Sequence, residues 1–154
     1  MTLHLGCNLP NDELIVLQQI LQVIHDVGKQ FERLPSTYAN KEEEDLRHHF
    51  LLFLEAGFEG SATGETFNKK GKTDILLRYN GQNVFIAECK FWRGEKGFLK
   101  TIDQLLEYLT WRDSKIAVML FVPNKDFSSV VSQIEGIARN HSDYLRFVSK
   151  KDET

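Results

Sequence analysis

The chain has 154 residues, of which 42% are hydrophobic and 27% charged, and its formal net charge is −3. That is enough chain for one domain with a real core, and the composition is that of an ordinary soluble protein. No run approaches the roughly 18 apolar residues of a membrane-spanning helix, which argues against a membrane protein, and the mild acidity does not by itself advertise nucleic-acid binding.

In chain order, residues 1–14 lack a basic stretch followed by an apolar one, so no signal peptide is expected and the cytoplasm is the expected location. Cys7 and Cys89 lie far apart without metal spacing and read as free thiols. Residues 11–34 are predicted helical, with Leu14, Leu17, Leu21, Ile24, Val27 and Phe31 at three- and four-residue steps behind Asn11 as cap. Pro35 breaks the pattern in LPSTYAN, and a second helix is predicted over 41–56, ended by Gly57. Residues 59–71, EGSATGETFNKKG, read as a polar loop; Gly60, Gly64 and Gly71 do not make a phosphate-binding pattern. Residues 73–79 and 83–91 read as strands of a hairpin about Asn80-Gly81. A helix is predicted over 98–112, a doubly buried strand over 115–122, a helix over 126–139 and a last strand over 144–149. The expected class is α/β, in the order α-α-β-β-α-β-α-β, with a mixed sheet between helices. Residues 1–40 form an N-terminal helix and linker packed on or extending the core, and 41–150 form the main domain.

Charge is unevenly placed. Residues 41–65 hold seven acids against two bases, whereas 69–100 hold eight bases against three acids. A basic central segment can attract phosphates, although on charge alone a solvated mixed surface is the preferred reading.

The strand FIAECKFW, residues 85–92, places Glu88 and Lys90 on one face of an apolar run. Its partner strand places Asp74 among Thr73, Ile75 and Leu76. A strict two-residue loop pairs residues whose numbers sum to 161, and so sets Asp74 against Ala87. A bulge or longer loop gives 162 and sets Asp74 against Glu88. The second register is expected, because isolated buried carboxylates are costly unless paired or bound to a metal. Two carboxylates without sulfur or imidazole suit a hard cation, Mg²⁺ or Mn²⁺. Lys90 could then position or deprotonate a water, or stabilise charge on a phosphate.

Asp74 followed by Glu88-Cys89-Lys90 resembles the D…(D/E)-x-K core of the PD-(D/E)XK nuclease superfamily, the restriction-endonuclease-like fold. Gly71-Lys72-Thr73-Asp74-Ile75 looks like the G-x-x-D form of RecB-type nucleases, and Gln104-Leu105-Leu106-Glu107-Tyr108 is similar to their Q-x-x-x-Y signature. Thr73 stands where the family name has proline. The resemblance spans about residues 41–122. It implies Asp74 and Glu88 as metal ligands, joined by the Cys89 backbone carbonyl, Lys90 as the catalytic lysine, and Gln104 as an orienting residue. Tyr108 lies one turn further along that helix, as a candidate nucleic-acid contact. It also implies an acid from the preceding helix, chosen from Glu42, Glu43, Glu44 and Asp45; Glu44 is preferred for its offset from Leu46 and Phe50. The implied activity is Mg²⁺- or Mn²⁺-dependent hydrolysis of phosphodiester bonds, in DNA, in defence, restriction or repair.

Lys72, Arg93, Lys96 and Lys100 are candidate phosphate contacts, with Lys69 and Lys70 beside them. Against these stand plainer explanations: Asp74 as a strand-start acid, Glu88–Lys90 as a cross-strand salt bridge, and Trp92 as a buried or interface side chain rather than a base-stacking one. Neighbouring helix positions diverge by about 100°, so His48 and His49 are not expected to chelate one ion. Cys89 faces away from the site as a small core residue. The alternative function is a non-catalytic nucleic-acid-binding or protein-interaction module on the same fold. The N-terminal helix is available as a homodimer or partner surface, and the want of a target-choosing element is what a domain of a longer protein would show.

Overall fold

The structure is a computed structural model that describes residues 2–6, 11–57, 61–68, 71–79, 81–108, 115–123 and 126–146. Ten elements follow in chain order: β1 (Thr2–Gly6), α1 (Asn11–Arg33), α2 (Pro35–Tyr38), α3 (Glu43–Gly57), β2 (Ser61–Asn68), β3 (Gly71–Tyr79), β4 (Gln82–Phe91), α4 (Glu95–Tyr108), β5 (Lys115–Phe121) and α5 (Phe127–Asn140). The strands form one mixed sheet in the order β1-β5-β4-β3-β2. β4 and β5 run parallel, and the other three pairings are antiparallel.

Alternation along β3, β4 and β5 sends apolar side chains to both faces, and helices cover each. Ile75, Leu77, Phe85, Ala87, Cys89, Ala117 and Met119 pack with Leu17, Ile20, Ile24 and Val27 of α1 and Phe50 and Leu54 of α3. Leu76, Ile86, Ile116, Val118 and Leu120 pack with Phe98, Ile102 and Leu105 of α4 and Val130 and Ile134 of α5. Ile20, Leu54, Phe85 and Ile134 are wholly enclosed, and each such side chain contributes about 1.5–3 kcal/mol. Asp126 caps α5, its Oδ1 accepting from Ser129 N at 3.2 Å. Among the described residues no helix is long and apolar enough to cross a membrane.

Several expectations are corrected. The polar loop over 59–71 holds a strand, β2, paired with β3 from Ser61↔Arg78 to Asn68↔Gly71. Its Thr63, Thr66 and Phe67 favour extended backbone, which outweighs the punctuation of its glycines. β1 was not anticipated; it is a five-residue strand held by β5 from Thr2↔Met119 to Gly6↔Lys115. Pro35 starts a one-turn helix rather than only breaking one, because its fixed φ suits the first helical position. α4 begins at Glu95, earlier than the predicted 98, and residues 109–112 lie outside the described residues. Residues 144–146 are not in a strand, and 147–149 lie outside the described residues.

Candidate active site

The hairpin register decides which side chains meet. Tyr79 pairs with Gln82 across the tight turn, where Gly81 adopts a φ of +75°, a conformation that glycine takes without steric cost. Arg78 pairs with Asn83, but Leu77 pairs with Phe85, so Val84 is an extra residue and forms a bulge. Beyond it the pairing runs Leu76↔Ile86 and Ile75↔Ala87. Continued by one step, the 162 register puts Asp74 level with Glu88, and the charge of Asp74 is felt at the Glu88 carboxyl. The alternation of burial explains the bulge. Without it, Asp74 would share a face with Phe85, Ala87 and Cys89, inside the layer under α1 and α3.

The β3–β4 ladder stops at Ile75↔Ala87, while β4 stays paired with β5 through Phe91↔Phe121. At this parting, carboxylates take the β4 amides that no longer meet β3. Cys89 N donates to Asp74 Oδ2 at 2.9 Å, and Phe91 N donates to Glu43 Oε2 at 2.9 Å. Glu43 Oε1 also lies 3.4 Å from Lys90 Nζ. Arg47, only 6% exposed, brings Nη1 to within 3.0 Å of Asp74 Oδ1 and Nη2 to within 3.4 Å of Glu44 Oε1.

Glu88 is 3% exposed, and its Oε1 is buried without a hydrogen-bond partner among the described residues. Burial, and then the charge of Asp74, push its carboxyl up from 4.5 to about 8, with Lys90 pulling the other way. Burial pulls the Lys90 ammonium down, but Glu43, Asp74 and Glu88 outweigh it, so its pKa is raised. Cys89 is wholly enclosed on the α1/α3 face, and burial pushes its thiol well up; it is an inert core residue, not a nucleophile.

Of the predicted site residues, Asp74, Glu88 and Lys90 converge. Glu44 does not reach them; its side chain is 63% exposed and meets Arg47. Glu43 arrives in its place. The reason is helical: Phe50 and Leu54 face the sheet, and the same stripe continued toward the N-terminus passes through Arg47 and Glu43. That stripe was the available signal for both residues, and Arg47 was missed because a charged residue is not counted as core. Gln104 is half-buried on α4, the helix over the face to which Leu76 and Ile86 point. Arg93, Lys96 and Lys100 are exposed just beyond Lys90, with Lys96 and Lys100 one turn apart on α4. The side chains of Lys72 and Tyr108, and Lys69, Lys70 and Cys7 altogether, lie outside the described residues. Trp92 is buried against Phe98, with ring centroids 6.1 Å apart. His49 packs edge-on against Phe31 and Tyr38, while His48 faces outward.

Among the described residues no group of three or more His, Cys, Asp and Glu is arranged to hold a metal ion. The two facing carboxylates do fit a hard cation of the Mg²⁺ kind, which is typically held by one or two carboxylates, with waters or substrate phosphate completing the shell. The orphaned Glu88 Oε1, in a carboxyl that burial keeps protonated near neutral pH, is where such a cation would be met. Comparison of the chain with protein-family models, curated proteins and solved structures finds no match.

Proposed function

We infer that the protein is a metal-dependent nuclease of restriction-endonuclease-like fold, a member of the PD-(D/E)XK superfamily, that hydrolyses phosphodiester bonds in DNA. The observation that carries this reading is the meeting of Asp74 and Glu88, with Lys90 beside them, where β3 and β4 part. A bound Mg²⁺ or Mn²⁺ would supply an activated water and Lewis-acid stabilisation of the phosphate. Asp74 and Glu88 would hold that ion. Lys90 lies two residues from Glu88 along β4, and its ammonium would stabilise charge that develops on the phosphate. Glu43 ties Lys90 and the Phe91 amide to α3 and so fixes their positions. Arg93, Lys96 and Lys100 offer flanking phosphates point charges, which position nucleic acid without reading its sequence.

The test is cleavage of labelled single- and double-stranded DNA in Mg²⁺, Mn²⁺ or EDTA, beside a Lys90→Ala protein prepared identically. Cutting should require the metal and fall at least about 10²-fold in Lys90→Ala. Undiminished cutting by Lys90→Ala would remove Lys90 from the site. Absence of cutting by the natural protein in either metal would favour a non-catalytic nucleic-acid-binding module.

A further inference from the structure

Arg47 is the one charged residue of α3 that packing encloses. Burying a guanidinium is costly unless a partner offsets it, and an apolar residue of similar size often serves stability as well or better. Its presence therefore calls for a role beyond cohesion. Asp74, Glu88 and Glu43 bring three carboxyl groups to the parting of β3 and β4, and Lys90 is already engaged with Glu43. Arg47 and Glu43 are four residues apart and share a helix face. One turn of α3 thus reaches β4 through Glu43 and β3 through Arg47.

We propose that Arg47 is the positioning residue of this site, a fixed counter-charge that holds Asp74 Oδ1 and so sets where the Asp74 carboxylate stands relative to Glu88. The proposal rests on the metal-dependent reading above. In the absence of a cation, Arg47 supplies positive charge that Asp74 needs beside a second carboxyl. When a divalent cation is bound, Arg47 offsets part of the attraction between that cation and the carboxylates, and keeps Asp74 oriented. Taking away the positive charge strengthens the attraction and loosens the orientation, so affinity and turnover move in opposite directions. A lysine at this position restores the charge but offers one ammonium where the guanidinium spans Asp74 and Glu44.

The experiment measures Mn²⁺ binding by calorimetry, DNA cutting, and thermal midpoints in EDTA for the natural protein, Arg47→Gln, Arg47→Lys, Asp74→Asn and the Arg47→Gln/Asp74→Asn pair. Arg47→Gln should bind Mn²⁺ about tenfold more tightly and cut about 10–100-fold more slowly. Arg47→Lys should return the affinity to that of the natural protein and recover part of the rate. In EDTA, Arg47→Gln should lower the midpoint by roughly 5–15 °C, and the double variant should lose clearly less than the two single losses combined. Weaker or unchanged Mn²⁺ binding by folded Arg47→Gln, or additive losses in EDTA, would overturn the proposal. A natural protein that neither binds Mn²⁺ nor cuts DNA sinks the nuclease reading instead. The EDTA cycle then still decides whether Arg47 holds Asp74, with coupling supporting that hold and additivity overturning it.

Discussion

Glu88 gives the site a pH signature. Its carboxyl ordinarily titrates at 4.5 and is pushed up to about 8 in the folded protein, first by burial and then by Asp74. Between those values the folded state keeps a proton that the unfolded chain has released. The stability that this group contributes is fully present below the ordinary value and is lost as pH rises through about 8. Urea unfolding in EDTA should therefore show stability declining from about pH 5 to about pH 8.5. Glu88→Gln keeps the shape and has no proton to lose. It should flatten that slope and gain about 1–3 kcal/mol at the alkaline end, where the natural side chain must be buried as an ion. An unchanged slope in Glu88→Gln would place the titration in another group. The identities of Asp74, Glu88 and Lys90 as one cluster were legible in the sequence, from strand alternation and the cost of a lone buried carboxylate. Arg47 was not: it lies on the same stripe as Phe50 and Leu54, but a charge there reads as the solvated margin of the stripe; the partner that lets it be buried, Asp74, comes from β3.

At the level of elements, the first turn of α3 does work that a backbone ladder does elsewhere in the sheet. The amides of Cys89 and Phe91 are both taken by carboxylates, from Asp74 and Glu43 respectively. Glu43→Ala should cost about 1–3 kcal/mol, chiefly by leaving the Phe91 amide without its acceptor. Hydrogen exchange resolved by residue gives a sharper readout. The Phe91 amide should exchange faster in Glu43→Ala while Cys89 keeps its protection, and Asp74→Ala should show the reverse. Equal acceleration at both amides would mean that α3 and β3 leave the strand together. The hairpin itself was legible, since Asn80-Gly81 announces the turn and the apolar faces demand the bulge. Its residue, Val84, was not, because any of several positions would have restored the same register downstream. β2 was hidden by Gly64 and by the polar residues around it, which signal a turn locally, although a glycine is accommodated in a strand once β3 lies alongside.

Across the whole molecule, two apolar layers on opposite faces of one sheet make α1 and α3 partners on one side and α4 and α5 on the other. Those layers followed from the periodicity of the helices and the continuous apolar run of β5. β1 could not be read that way. It joins the sheet through β5, more than a hundred residues further along the chain, and five residues carry little pattern of their own. The same question of separation along the chain bears on how the site comes into being. Asp74 and Glu88 lie in one hairpin, whereas Arg47 stands 27 residues from Asp74, and Glu43 stands 47 residues from Lys90. Local pairings form first, because closing longer loops costs more entropy. The two acids are therefore brought together before the helix that balances them has docked, and their repulsion falls on the climb to the folding barrier. Acidification, or millimolar Mg²⁺, is expected to steepen the early course of refolding and to leave the unfolding limb of the chevron nearly where it was. A shift confined to the unfolding limb would mean that α3 is in place before the hairpin closes.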